Sequence, residues 1–446
     1  MRFHGCAARH NASIVEHMCE VVFDIDPDAT EAALVDQLAA MSRTTSSIAA
    51  AQAQVTALLQ AKRTAREAAE HVPASQRGKG LATEIGLARQ ASPWHGARYL
   101  KISRILVDDM PHTMAALAGG MLTEHRAMII AGHAECLSPE NRRALDAELC
   151  ADPAKLEGKG DKKIHADAGR IAFRLDSEAV LAAMSRHQCD RTVTVRPAPY
   201  GMAYVTALLT AAEACTVQQA LQQDAADAAA ESIASGGGLG SRGQLLADAF
   251  YRRTTGRDVG AAVPITINLV LSDESLLAQG TEPAILDGYG PIPAAVARQM
   301  VWATVVDPDT DAAVRRLYAN PATGNLVAME SRARAFPKGL KWLIKLRDQT
   351  CRTPYCDAPI RHIDHVNPHA AHGATSAHNG QGLCERCNYT KEQPGWQTRT
   401  VYDRYGRHAT EVITPTGRTY RSTAPPTPTG ARVLTSDVHI VRIHAA

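Results

Sequence analysis

Residues 351 to 391 read CRTPYCDAPIRHIDHVNPHAAHGATSAHNGQGLCERCNYTK. Four cysteines stand here in two close pairs, Cys351/Cys356 and Cys384/Cys387, with Asp364, His365, Asn379 and Asn388 between and just after them. A pair of thiols separated by a few residues can span one edge of a tetrahedron, so the four are expected to hold a structural Zn2+. The competing reading is a disulfide framework or four unrelated thiols. Disulfides suit small secreted domains, whereas this chain has 446 residues and Met1 to Glu20 lacks the apolar core of a secretory leader. Reduced thiolates are therefore the expectation, with the Asp-His step and Asn388 left over for chemistry at a second metal site.

Asp364 and His365 are adjacent, so in an extended segment their side chains point to opposite faces, and a bend is required before both can serve one site. The arrangement resembles the HNH endonucleases, the nucleases with a ββα-metal (His-Me) finger. The resemblance rests on the Asp-His dipeptide closing a strand, an Asn 14 residues further on, and a helix that opens with Cys384-Glu-Arg-Cys387-Asn388 and carries Lys391. It implies that His365 is the general base that activates water. Asp364 and Asn388 would be ligands of one catalytic divalent cation, Mg2+ or Mn2+, and Asn379 a brace that holds the loop and orients His365. Lys391, one turn beyond Asn388, is expected to face the scissile phosphate or a neighbour; its other reading is a solvated helix side chain.

The chemistry is consistent with those roles. Phosphodiester hydrolysis needs a deprotonated water on one side of phosphorus and charge relief on the other. An imidazole titrating near pH ~6.5 can provide the first, and a hard cation on carboxylate and amide oxygens the second.

A wider likeness runs from about Leu81 to Arg421, roughly three quarters of the sequence. Here the chain resembles a bacterial group that joins a long, mostly helical region of unassigned function to a C-terminal HNH module. The matching stretches are Leu286-Asp-Gly-Tyr-Gly-Pro-Ile-Pro293, Lys345-Leu-Arg-Asp348, Gly395-Trp396 and Thr414-Pro-Thr-Gly-Arg-Thr-Tyr420. One departure stands out. Where the group usually has a His-rich run after the cysteine at 384, this chain has Cys387 and Asn388, which keep a thiolate and an oxygen donor.

Composition bounds the rest. Hydrophobic residues make up 45% of the chain and aromatics only 4%, which favours helices packed through small side chains. The net charge of +2 is unevenly spread: residues 331–421 hold 15 Lys and Arg against 7 Asp and Glu. Such a basic module favours a polyanion, and double-stranded DNA is the expected partner, with binding that weakens as salt rises. No apolar run is long enough for a bilayer, and a cytoplasmic location is expected.

The expected fold class is a mainly α N-terminal region with a small β component, followed by an α+β ββα-metal finger on a zinc-knuckle scaffold. The expected divisions are N-terminal helices over 1–75, a mostly helical domain over 81–330, the nuclease domain over 335–425 and a tail over 426–446. Asp28–Met41 and Ser46–Glu70 read as two helices, the second available for packing or for a homo-oligomer. His71–Gly80 reads as a linker. A helix ending near Arg89 and another opening at Pro93 behind Ser92 form a helix-turn-helix outline.

Alternation over Arg191–Pro197 and again over Met202–Leu209 predicts a β-hairpin. A strand is expected over Val263–Leu271, a short amphipathic helix over Leu340–Asp348, and three short strands after Thr398. His362, His369, His372 and His378 read as loop residues, with His362 placed to support Asp364. Besides the endonuclease, two readings stay open: a zinc-stabilised DNA-binding or regulatory protein without hydrolysis, and a toxin-type nuclease.

Overall fold

The structure, a computed structural model, describes residues 25–235, 240–259, 269–270, 272, 275, 280–306, 330–331 and 334–426. It divides into two compact units, one ending at Arg186 and one starting at His187. Of the strand expected over Val263–Leu271 only Leu269–Val270 is among the described residues. The segments 1–24, 307–329 and 427–446, which include the expected tail, lie outside them.

The first unit is helical: α1 (Glu31–Ala69), α2 (Leu81–Ala88), α3 (Pro93–Asp109), α4 (Pro111–Ala118), α5 (Glu124–Ala134), α6 (Pro139–Cys150), α7 (Asp161–Leu175) and α8 (Ser177–His187). Where the sequence suggests two helices, α1 is one helix of 39 residues. The Thr44-Thr-Ser-Ser47 run reads as a break because its hydroxyls compete for the backbone. Here the hydroxyls of Thr44, Thr45 and Ser46 donate to the carbonyls four residues earlier, at 2.9–3.1 Å, that of Ser47 donates to the Ala118 carbonyl at 2.6 Å, and the helix passes through.

Ala49, Ala50 and Ala53 of α1 share one core with Ile102, Leu106, Leu117, Ile130, Leu145, Ile164 and Ile171. Burying each Leu or Ile is worth about 1.5–3 kcal/mol. The turn over 71–80 joins α1 to α2, and the buried Arg63–Glu84 ion pair, 2.6 Å, ties the two helices to each other. In the helix-turn-helix outline the Ser92 hydroxyl accepts from the His95 N–H and Pro93 opens α3. Lys101 and Arg104 of α3 are ion-paired within the unit, to Glu135 and Asp108. The start of α4 lacks a cap of its own. The buried Asp146 of α6 supplies one, accepting from the N–H groups of His112 and Thr113 at 2.7 and 2.8 Å.

The second unit opens with the hairpin β1 (Thr192–Pro197) and β2 (Ala203–Leu208), paired Val195↔Val205 at its centre. The antiparallel helices α9 (Ala211–Ala234) and α10 (Arg242–Thr255) follow, each opened by a capping box. A small sheet of β3 (Leu269–Val270), β4 (Ala284–Leu286) and β5 (Gly290–Ile292) precedes α11 (Ala294–Val306).

The last part is the ββα arrangement expected from the sequence. After β6 (Glu330–Ser331) and α12 (Lys338–Asp348) come β7 (His362–His365), β8 (Thr375–Ser376), β9 (Gly380–Leu383) and α13 (Glu385–Lys391). β7 and β9 pair antiparallel with Asp364↔Gln381 and His365↔Gly380, and β6 pairs with β8. A three-stranded meander closes it: β10 (Gln397–Tyr402), β11 (His408–Ile413) and β12 (Thr419–Thr423). α12 packs directly on β9 because Gly380 has no side chain. A Cβ there would come within 2.3 Å of Ile344 Cδ1 and 2.8 Å of Phe336 Cε1.

Candidate functional site

The sulfurs of Cys351, Cys356, Cys384 and Cys387 lie within 4.8 Å of one another. Two of the separations are 3.8 Å, between Cys356 and Cys384, and 3.7 Å, between Cys387 and Cys356. Disulfide sulfurs would be about 2.05 Å apart, whereas tetrahedral Zn–S bonds of ~2.3 Å place sulfurs about 3.8 Å apart. The geometry is that of a tetrathiolate metal site. Without a cation the four thiols would divide into two that ionise readily and two that keep their protons. Hydrogen bonds from neighbouring thiols hold Cys384 and Cys351 below the usual thiol range, while those same neighbours push Cys356 and Cys387 up. Four thiolates this close need a cation among them, and the four residues fit zinc.

The other candidates gather around β7. Ile363 turns toward Phe336, Leu340 and Ile344 beside α12, and the His365 ring lies 4.5 Å from the Phe336 ring. Asp364 belongs to the other face of the strand, toward α13. Because β7 ends at His365, the two side chains still meet: His365 Nδ1 is 3.9 Å from Asp364 Oδ1. The imidazole is 7% exposed. Burial is the main cause that lowers its pKa; Asp364 opposes the shift, and His369, Lys391 and Arg334 add to it. A lowered pKa favours the uncharged imidazole, the form a base requires.

Asn379 is buried at the far end of the loop that follows β7. Its Oδ1 accepts from the Asn367 N–H at 2.8 Å, and its Nδ2 donates to the carbonyls of Asn367 and Ala374 at 3.0 and 2.9 Å. Val366 N–H donates to the Asn379 carbonyl at 2.7 Å. A side chain at Gly373 would occupy this contact, with its Cβ 1.9 Å from Asn367 O and 2.7 Å from Asn379 Nδ2.

Of the two positions expected for Lys391, the structure has the neighbour. Its ammonium is 2.7 Å from Asp364 Oδ2 and 2.9 Å from Glu392 Oε1, and it donates to the His365 carbonyl at 2.9 Å. Asn388 Oδ1 is buried and has no hydrogen-bond partner among the described residues. A buried acceptor without a donor is costly unless an ion or water takes it. An amide oxygen and a carboxylate suit a hard divalent cation that keeps several waters, so Asp364 and Asn388 fit that group. His362 is not part of this cluster; its ring lies 6.4 Å from that of Tyr389.

A family described as a domain of unknown function (DUF222) matches residues 35–348, and one described as HNH endonuclease matches residues 350–393. The chain belongs to the DUF222 family and carries an HNH endonuclease domain after it. No curated protein and no solved structure matches it. Among the described residues no helix is long and apolar enough to cross a membrane.

The HNH domain also uses residues to which the sequence reading assigned no role. Asp348 is 1% exposed. Its carboxylate accepts from Arg347 at 2.7 and 3.0 Å and from the Gly382 N–H at 2.7 Å, with Arg352 Nε at 3.6 Å. Arg347 donates onward to the carbonyls of Ala377 and Gly380, and Arg352 to that of Ser422. This network ties α12 to β9 and to β12, beyond the matched 350–393. Its signal was present in the sequence: Leu340 and Ile344 define a buried stripe that reaches Asp348 at the next i+4 step, and a charge there needs partners.

His408 is similar. It is buried, its Nε2 bonds the His378 carbonyl at 2.9 Å, and desolvation lowers its pKa to about 3.

Proposed function

We propose that the protein is a metal-dependent endonuclease that hydrolyses DNA phosphodiester bonds, leaving 5′-phosphate and 3′-hydroxyl ends. The observation that carries this reading is the approach of a buried imidazole with a lowered pKa, His365, to Asp364 at the end of β7. His365 accepts the proton of the attacking water at Nδ1. Asp364 and Asn388 hold a divalent cation, Mg2+ or Mn2+, which when bound relieves the charge that develops on the phosphate. Asn379 keeps the loop after β7 in the shape that presents His365. Lys391 fixes Asp364 from the other side. The zinc thiolates tie the turn that carries Cys351 and Cys356 to the start of α13, which carries Cys384 and Cys387, and take no part in the chemistry.

The basic residues concentrated over 331–421 support a polyanionic substrate, and duplex DNA gripped through its backbone fits a module with that excess. Expected outcome: the purified full chain nicks or cuts plasmid DNA when Mg2+ or Mn2+ is supplied and stops when the added cation is chelated. His365→Ala loses activity by roughly 10²–10⁴-fold with zinc content unchanged. A variant that cuts at the wild-type rate removes the claim.

One contact favours the rival reading of a zinc-stabilised DNA-binding protein, since Lys391 neutralises Asp364 Oδ2 without any ion. In that case DNA binding persists, and no cation supports cleavage.

A further inference from the structure

We propose that Thr375 is a positioning residue that decides which nitrogen of His365 carries the proton. The inference deepens the nuclease reading above and rests on it for its kinetic half. It starts from one hydroxyl with two neighbours. Thr375 Oγ1 lies 2.9 Å from His365 Nε2 and 3.3 Å from the carbonyl oxygen of Arg334. A hydroxyl has a single proton to give and lone pairs to receive with, and a carbonyl can only accept. With the Thr375 proton on Arg334 O, the arrangement is complete only if His365 Nε2 carries a hydrogen and donates it to Oγ1. The neutral ring then has its free lone pair on Nδ1, the nitrogen that faces Asp364.

The opposite tautomer costs more here. It would turn the Thr375 hydroxyl toward Nε2 and leave the Arg334 carbonyl without this donor. Its Nδ1–H would also find no acceptor on Asp364, because Oδ1 is 3.9 Å away, beyond hydrogen-bond reach, and Oδ2 is engaged by Lys391. The other groups beside the ring do not compete for Nε2: Phe336 packs against the ring at 4.5 Å, and His369 lies ring to ring at 5.6 Å.

Thr375 itself is well held. It is 3% exposed, and its strand β8 pairs with β6 through Ser331↔Thr375. When His365 takes a proton from water, the O–H bond electrons stay with the attacking oxygen and the proton goes to Nδ1. The Nε2–H bond to Thr375 persists in the imidazolium, so no proton passes through Thr375.

The test uses the full-length, zinc-loaded protein with 15N-labelled histidine. Long-range 1H–15N spectra at neutral pH distinguish a protonated from a bare ring nitrogen, and His365→Ala assigns the signal. The expected wild-type signature is a protonated Nε2 and a bare Nδ1. Thr375→Val, which keeps the shape and loses the acceptor, should shift His365 toward the other tautomer and slow plasmid cleavage roughly 10- to 100-fold. Thr375→Ser should restore both.

A wild-type spectrum with the proton on Nδ1 overturns the proposal whether or not any variant folds. So does a folded Thr375→Val protein with unchanged spectrum and rate. If the wild type fails to cleave under any cation while the tautomer still follows Thr375, the positioning stands and the nuclease reading falls.

Discussion

The helical unit up to Arg186 and the HNH module are held together by different forces. The first buries a continuous set of alanine, leucine and isoleucine side chains from α1 through α7. Among the described residues the second has small apolar clusters, Phe336/Leu340/Ile344/Ala377 and the cysteines with Leu383. Its interior holds Arg347, Asp348, Arg352, His365, Asn379, Gln381 and His408 instead. Apolar packing is non-directional and tolerant of adjustment. A buried polar network is directional and so fixes geometry more tightly, even though Arg352 Nε, Gln381 Nε2 and His408 Nδ1 have no hydrogen-bond partner among the described residues. The module that has to bring His365 and Asp364 together is the one built in the less forgiving way.

The sharpest way to break that contrast is to remove the metal expected on the four cysteines. Structural Zn2+ contributes about 10–16 kcal/mol in small zinc-dependent folds, more than the module's apolar clusters can replace. Cys387→Ser, or exhaustive chelation, should abolish amide-exchange protection over 351–391 and leave α3, α5 and α6 protected. Equal loss in both regions, or in neither, would show that the two are not stabilised separately.

The next effect is in the polar network. Asp348→Ala leaves Arg347 and Arg352 buried without their carboxylate, and breaking such a set costs about 3–5 kcal/mol. The variant should melt earlier, retain zinc poorly and lose cleavage. Leu145→Ala, in the helical core, is expected to cost about 2–5 kcal/mol, yet it should leave the 1H–15N signature of His365 unchanged. Calorimetry of the full chain with the two substitutions, separately and together, tests whether their effects add, as sites in independent units should.

The same contrast explains what could be seen in the sequence. The tetrathiolate cluster was legible because each half is a local spacing, and the helices because their period is local too. Asp348 was not assigned a role because its partners include Gly382, 34 residues away, and the network it anchors reaches Ser422, 70 residues beyond Arg352. The single span of α1 was missed because hydroxyls that can end a helix instead bond back within it, at Thr44, Thr45 and Ser46. Adjacency alone put Asp364 and His365 on opposite faces, and only the end of β7 at His365 lets them meet. Thr375 had no local signal at all, since its hydroxyl acts on a histidine 10 residues earlier.

The smallest expected effect is one of pH, and it belongs to the HNH module. His408 is buried and neutral, with a pKa lowered to about 3 by desolvation first, then by the charge of Arg347; Asp348 opposes this. In the unfolded chain the imidazole titrates near ~6.5. Above that value neither state binds the proton, and His408 adds no pH dependence. Between pH ~6.5 and about 3 the unfolded chain binds a proton that the folded module does not, so stability falls as pH falls. The loss is about 2 kcal/mol at pH 5, from ~1.4 kcal/mol for each pH unit below the unfolded value. The zinc thiolates add acid sensitivity of their own. The reading is therefore the difference between the wild type and His408→Gln, which can keep a donor for the His378 carbonyl and does not titrate. Unfolding midpoints compared at pH 7.5 and 5 should fall more in the wild type than in the variant. An equal fall in both would mean that the folded module accepts a proton on His408, and that its polar interior is less closed than the core of the helical unit.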